Sequence, residues 1–435
     1  MDFLKKIFHR LLAVDIIKVF SLNAMATFVR MLAGMISVKV VAVLIGPVGV
    51  ALLGQLKNME TILLGVANGG INSGITKYVA ELKDDETQVK KYISNAFRIT
   101  VVATLSIAII LIFGCTILSQ LVLQADKYYY VFIVFGFTII LYTLNTLLIS
   151  ILNGYKEFKK YVIVNICGTL FGLVYSVALV FFWGLPGAMI NTVTFQSVVF
   201  VVTLYICRKL PWMRKEYFIE KFDTPIVKKY LRFSFMTITT LALTPVIRLL
   251  LRGYVISEIS ATEAGIWEGM NNISSMYLSV ITSALSIYYL PRLSEIKDKG
   301  TLHDEILKCY KVVVPMLLAI GIGIYVLRYF IIWLLFTPEF SPMEDLFIWQ
   351  LIGDLFKECS WMLAYIMVAK AMARAYISTE IIFGFSYLVL SFLFLRLNGI
   401  VGLVQGYLVN YFFYMIVMII MFRNVICYKK YKHGE

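Results

Sequence analysis

Histidine is nearly absent from this chain, with three in 435 residues: His9, His303 and His433. None falls in a long apolar stretch, which excludes a histidine proton relay inside a membrane and a histidine-ligated metal site. The cysteines (Cys115, Cys167, Cys207, Cys309, Cys359, Cys427) are scattered and form no CxxC pair. That spacing points to free thiols packed in or near helices, not to a metal or redox centre. Acids are scarce, 26 against 40 Lys and Arg. No GxxxxGK[ST] loop is present, so the chain hydrolyses no nucleotide itself. GxSxG, HExxH and serine–histidine–acid patterns are missing too. No long polar region could house a transferase or polymerase site, so an enzyme is not expected. Nor is a cleavable leader: Met1–Lys18 carries Lys5, Lys6, Arg10 and Lys18 around a broken apolar run, with no small-residue site after it.

What is present is apolar. Hydrophobic residues make up 60% of the chain and the mean hydropathy is +0.84, beyond the range of soluble domains. A bilayer core takes about 20 helical residues. Twelve segments meet that length: 19–43, 50–76, 94–117, 129–152, 161–182, 187–206, 233–254, 266–290, 312–335, 346–369, 376–395 and 400–422. With the N-terminus placed in the cytoplasm, the cytoplasmic pieces hold 30 lysines and arginines, while the opposite loops hold only Lys127 and Arg396. The bias of basic residues toward the cytoplasm then fixes both termini inside. The net charge of +14 is spread over short loops, which gives no reason to invoke nucleic acid.

The expected fold is an all-α membrane protein of 12 transmembrane helices in two six-helix lobes. Residues 1–206 form the first lobe, 207–232 a basic cytoplasmic linker, 233–422 the second lobe and 423–435 a cytoplasmic tail. Gly54 and Lys77 in span two match Gly269 and Arg292 in span eight at one offset, a weak internal repeat. Such a repeat relates the lobes by an axis along the membrane normal, with a polar cleft between them.

Charges inside the spans are the functional signal. A cation in hydrocarbon costs about 2.5–3.5 kcal/mol unless it faces protein or water. Arg30 lies mid-span in the first segment, as a cavity cation or a structural ion pair. Lys39, nine residues on, faces the other side and can snorkel. Lys57 and Glu60 share a face and either neutralise each other or line a polar cavity. Arg248 and Arg252 stand at i, i+4 beyond Pro245, with Thr237, Thr239, Thr240 and Thr244 nearby. Two guanidinium groups on one face can grip a diphosphate bidentately, unless Arg252 snorkels. Glu268, Asn271 and Asn272 make span eight polar. Asp354, Lys357 and Glu358 share a face of span ten, which leaves one acid without a local partner. That acid pairs with an arginine elsewhere or binds a proton or sodium ion. Arg98 and Glu380 are expected to snorkel from the cytoplasmic ends, and Arg328, beside Tyr329 and Phe330, to be structural.

Several segments carry a family resemblance: GPVGVALLGQ (46–55), GINSGITKYVAE (70–81), GIWEGMNNISSMYLSVITSALSIYYLPRLS (265–294) and, most specifically, 327–371 with its GDxxK pattern at Asp354 and Lys357. The chain resembles the bacterial O-antigen and enterobacterial-common-antigen lipid-linked oligosaccharide flippases. These are polysaccharide transporters of the multidrug/oligosaccharidyl-lipid/polysaccharide exporter superfamily. The resemblance implies a V-shaped pair of lobes around a cationic cleft in the inner membrane. It implies flipping of undecaprenyl-diphosphate-linked oligosaccharide units from the cytoplasmic to the periplasmic leaflet, as part of O-antigen or lipopolysaccharide biosynthesis. It implies no cofactor, coupling to a proton or sodium gradient, and work beside a polysaccharide polymerase and a chain-length regulator. Arg30, Lys57 and Arg248 match the cleft cations, with Arg252, Glu268, Asn271 and Asn272 as further substrate contacts and Asp354, Lys357 and Glu358 as the coupling group. Glu268 and Glu358 depart from the family, where glutamine and an apolar residue are expected. The competing readings are a drug or cation antiporter of the same superfamily and a membrane polysaccharide polymerase. Eight basic residues against five acids within the spans favour an anionic substrate over a cationic drug.

Overall fold

The computed structural model describes residues 15–370 and 372–426. Lys5, Lys6, Arg10, His9, His433, Cys427 and the tail from residue 427 lie outside the described residues, as do the side chains of Lys18, Thr239 and Thr240. Within them the chain is helical, with no strand. The helices are α1 (Asp15–Ala67), α2 (Asn72–Leu82), α3 (Glu86–Phe113), α4 (Cys115–Leu123), α5 (Tyr129–Gly154), α6 (Phe158–Cys207) and α7 (Thr224–Glu258). There follow α8 (Ala261–Ala284), α9 (Leu290–Glu295), α10 (Lys299–Val326), α11 (Arg328–Leu335), α12 (Glu344–Ala369), α13 (Ala373–Met421) and α14 (Arg423–Ile426).

Six helices among the described residues are long and apolar enough to cross a membrane. Three of them are double length. At 1.5 Å per residue the 50 residues of α6 would reach about 75 Å if straight, far beyond a ~30 Å hydrocarbon core. Each is broken at a glycine with positive φ: Gly46 (73°) in α1, Gly184 (58°) in α6 and Gly399 (59°) in α13. A side chain is strained there, and Pro47 and Pro186 follow two of the breaks. The segment expected as span 94–117 is not one helix. It stops at Phe113, where the Gly114 N–H returns to the Ile110 carbonyl, and restarts at Cys115. Large apolar residues stay on the outside, Phe113 at 83% exposure and Phe182 at 74%, as a lipid-facing surface requires.

Contacts divide the chain into two compact units, Met1–Ile45 with Leu52–Leu249, and Gly46–Ala51 with Leu250–Glu435. In the first unit Phe132, Phe135, Val131 and Ile139 of α5 pack with Leu56 of α1 and Leu111 of α3. A second cluster gathers Ile75, Val79, Tyr92, Ile93, Ile151, Trp212 and Tyr230.

The basic stretch after α6, expected to be a linker, is part of that packing. Trp212 stacks on Tyr155 with ring centroids 6.1 Å apart. The Ser94 hydroxyl of α3 donates to the Phe218 carbonyl (3.1 Å) and accepts the Glu220 N–H (2.9 Å). Asn95 Oδ1 accepts the Asp223 N–H at 3.0 Å. Arg98, expected to snorkel, instead donates to the Glu220 carbonyl. A loop strand that leaves its helix needs partners for its backbone groups, and α3 supplies them.

In the second unit, Leu278, Ile281, Tyr289, Met362, Leu363, Met367 and Tyr414 form the core. Asp298 caps α10, and the Thr301 N–H it accepts (2.8 Å) holds its carboxyl below the usual carboxylate range. Arg328 is structural as expected, donating to the Tyr325 carbonyl (2.8 Å) and the Tyr329 hydroxyl (3.0 Å).

Gly265 of α8 lies against the Pro47 carbonyl, where an added Cβ would sit 1.8 Å from the oxygen. Backbone cannot rotate away as a side chain can. Gly265→Ala is therefore expected to cost about 1–3 kcal/mol or more. Gly321→Ala, in α10 with nothing within 4 Å, should gain about 0.5–1 kcal/mol of helix stability. Melting of the two purified variants in detergent should move in opposite directions. A common direction would rule out this account of the packing.

Candidate functional site

Arg30, Ala33, Gly34 and Ser37 recur at three- and four-residue spacing, so they share one face of α1. They line one side of a cavity of about 630 Å³ inside the first unit. Lys57, from the second arm of α1, reaches the same cavity and is exposed into it. Both arms of α6 close the other side, with Asn165, Thr169 and Ser176 from the first and Asn191 and Gln196 from the second. Those arms approach closely because Gly168 and Gly172 face Val199 and Phe195, whose side chains leave no room for a Cβ.

The lining holds two cations and, among the described residues, no carboxylate. No ion pair joins Lys57 to Glu60. Glu60 is buried instead and hydrogen-bonds to Tyr142, which leaves the Lys57 charge to the cavity. Arg30 Nη2 is 3.4 Å from Asn165 Oδ1, while Asn165 donates its own amide to the Tyr161 carbonyl at 2.8 Å. Lys39 is half-buried and does not line the cavity, in keeping with its opposite helix face. Arg248 is half-buried and does not line it either.

The second unit holds a different arrangement. Arg252, with its side chain wholly buried, pairs with Glu268 and lies 5.5 Å from the Trp267 ring. It does not snorkel; it is held inside by the pair with Glu268. Asn271 is buried and donates to the Trp267 carbonyl of its own helix at 3.0 Å; Asn272 is half-buried.

Asp354 of α12 is buried and gathers four donors. These are the hydroxyls of Ser274 (2.6 Å), Tyr277 (2.5 Å) and Tyr407 (2.7 Å), and the Gln350 amide (3.0 Å). A carboxylate so served needs no counter-charge. Glu358, one turn on, is fully buried, and neither of its oxygens receives a hydrogen bond. Lys357 lies over Trp361 at 4.6 Å, with Tyr411 (5.7 Å) and Tyr407 (6.0 Å) beside it. The acid left over in span ten is thus Glu358. Glu380, expected to snorkel, is turned inward, with the Tyr414 hydroxyl 3.5 Å away.

The α6 wall is missing from the sequence-based expectation, whose substrate contacts fall in spans one, two, seven and eight. Its signal was there: Asn165, Thr169 and Ser176 fall at i, i+4 and i+11, one polar face in an apolar run.

A family model described as polysaccharide biosynthesis protein matches residues 53–345. The chain is 27% identical over 392 residues to the lipid III flippase of Escherichia coli (strain K12), covering 90% of this chain and 94% of that protein, and equally so to the lipid III flippase of Shigella flexneri. Among solved structures, an inward-facing multidrug transporter of the MATE family superposes with a TM-score of 0.77 at 14% identity, over 94% of this chain and all of that one. The lipid II flippase MurJ in its inward closed conformation superposes with a TM-score of 0.71 at 14% identity, over 92% of this chain and 87% of that one. At such identities the superpositions speak for the fold alone.

Proposed function

Since the chain belongs to the polysaccharide biosynthesis protein family, we propose that it flips lipid-linked oligosaccharide across the inner membrane by alternating access, as a transporter and not an enzyme. It is a multi-pass membrane protein, and the lipid III flippases to which it is similar over nine-tenths of its length support the substrate class. The observation that carries the reading is the acid-free cavity holding Arg30 and Lys57. A diphosphate entering hydrocarbon bare would be prohibitive. Two cations in a polar cavity replace its water, while the lipid tail stays in the bilayer.

The finer topology belongs to the same proposal: twelve spans, both termini in the cytoplasm, six spans to each half. The undecaprenyl carrier, and a polymerase and chain-length regulator as neighbours, are proposed on the same footing. Arg248, half-buried, is the further arginine proposed to meet the diphosphate.

The decisive experiment is flipping of a fluorescent lipid-linked oligosaccharide in proteoliposomes. A charge-assisted contact is worth about 1.5–3 kcal/mol, so Arg30→Ala and Lys57→Ala should each slow transport by about 10- to 100-fold. Unchanged rates in both variants would sink the cationic-cavity reading.

Energy input is proposed to come from a proton or sodium gradient acting at Glu358, the buried carboxyl without a donor, with Asp354 and Lys357 beside it. Flipping by the Glu358→Gln protein that still responds to an imposed gradient would remove that step.

A further inference from the structure

Asn145 of α5 is fully buried, between Leu144 and Thr146. Its amide nitrogen donates to Gln196 Oε1 at 2.7 Å, and its own oxygen receives nothing. A buried amide with half its hydrogen bonding unmet is costly, and a leucine would avoid the cost. What the bond achieves is orientation. It occupies the acceptor end of Gln196, so the donor end is the one left for the cavity that Gln196 lines. No described residue accepts from that nitrogen.

Asn165 does the same kind of work beside it. Its oxygen faces the Arg30 guanidinium and its nitrogen is tied to the Tyr161 carbonyl. The cavity therefore presents donors from three directions: Arg30, Lys57 and the Gln196 amide. Three such donors suit phosphate and sugar oxygens, while Asn191 Oδ1, which has no partner among the described residues, adds an acceptor to the same lining that a sugar hydroxyl can meet.

We propose that Gln196, oriented by Asn145, reads the first sugar of the cargo. Its Nε2 donates to a ring or hydroxyl oxygen of the sugar attached to the diphosphate, while Arg30 and Lys57 hold the diphosphate itself. Gln196 is the contact residue and Asn145 a positioning residue. The assignment rests on the flippase reading and adds to it where the sugar sits and which side chain meets it.

The test uses the full-length protein in nanodiscs and two probes: a short-chain prenyl diphosphate capped with one glucose, and the same prenyl diphosphate uncapped. Loss of one hydrogen bond should weaken binding of the glucosylated probe to Gln196→Ala by about five- to tenfold and leave the bare probe unaffected. Asn145→Leu should show the same selective loss, to a smaller extent, since its bare-probe binding reports an intact fold. Arg30→Ala should weaken both probes. Equal losses for both probes in Gln196→Ala, or no loss for either, would overturn the assignment while leaving the cationic cavity standing. A wild-type protein that binds neither probe would overturn the flippase reading and this assignment with it.

Discussion

Replacing Arg252 with methionine is expected to cost the fold about 3–5 kcal/mol, because it strands the Glu268 carboxylate, whose one ion pair among the described residues is with Arg252. Arg252 is wholly buried and Glu268 nearly so. The intact pair is not expected to be worth that much. Desolvation of two ions offsets most of their attraction, and buried pairs replaced together by apolar groups are often neutral. The informative experiment is therefore a double-mutant cycle with Arg252→Met, Glu268→Leu and both together, read by thermal melting in detergent. The double variant should recover most of what either single variant loses, a coupling well beyond the 0.3–0.5 kcal/mol scatter expected of independent sites. Simple additivity would mean that the two side chains are not a unit. Glu268 occupies a position where the resemblance leads one to expect glutamine. The pair gives that departure a structural reason: the acid balances a buried arginine of its own unit.

The second large effect concerns two acids four residues apart in α12. Asp354→Asn should destabilise the protein by about 2–3 kcal/mol, since the amide brings donors of its own into a site where Ser274, Tyr277, Gln350 and Tyr407 already donate. Glu358→Gln should be neutral or stabilising, because the carboxyl it replaces is fully buried and receives no hydrogen bond. Melting temperatures that fall to the same extent in both variants would show that Glu358 is held by partners after all. The pairing of the two outcomes matters for function. In the structure one of these buried acids is served by four donors and the other by none, which is the contrast the two variants measure.

How much of this was legible beforehand depends on how loudly each residue speaks in one dimension. Arg30 and Lys57 were plain, because a charge in an apolar run is costly wherever it ends up. The breaks in α1, α6 and α13 were legible as the gaps between expected spans, after 43, 182 and 395. Asn145, Asn165 and Gln196 were not. A neutral amide in a span costs little enough to pass as filler, and only the packing shows that Asn145 bonds Gln196 and that Asn165 meets Arg30. Arg252 misled for a related reason. Helical spacing set it on one face with Arg248, but its partner sits on another helix, 16 residues on, and spacing carries no information about that. The stretch 207–232 reads as a basic linker from its length and its place between the two halves. The residues that bind it, Ser94, Asn95 and Arg98, look in sequence like ordinary members of a helix end.

The docked stretch bears on the order in which the molecule is made. The α3 and α5 residues that hold it, Ser94, Asn95, Arg98 and Tyr155 among them, have left the ribosome before residue 211 does. N-terminal portions of a nascent chain fold first. The first unit can close over residues 211–223 and finish at Leu249, whose carbonyl accepts from Gln55 at 3.3 Å, while the second half is still unwritten. What it cannot yet satisfy is the turn at Gly46–Ala51, whose packing partner Gly265 is synthesised later. A six-residue piece of the earliest membrane-inserted hairpin is thus kept waiting for the other half of the protein.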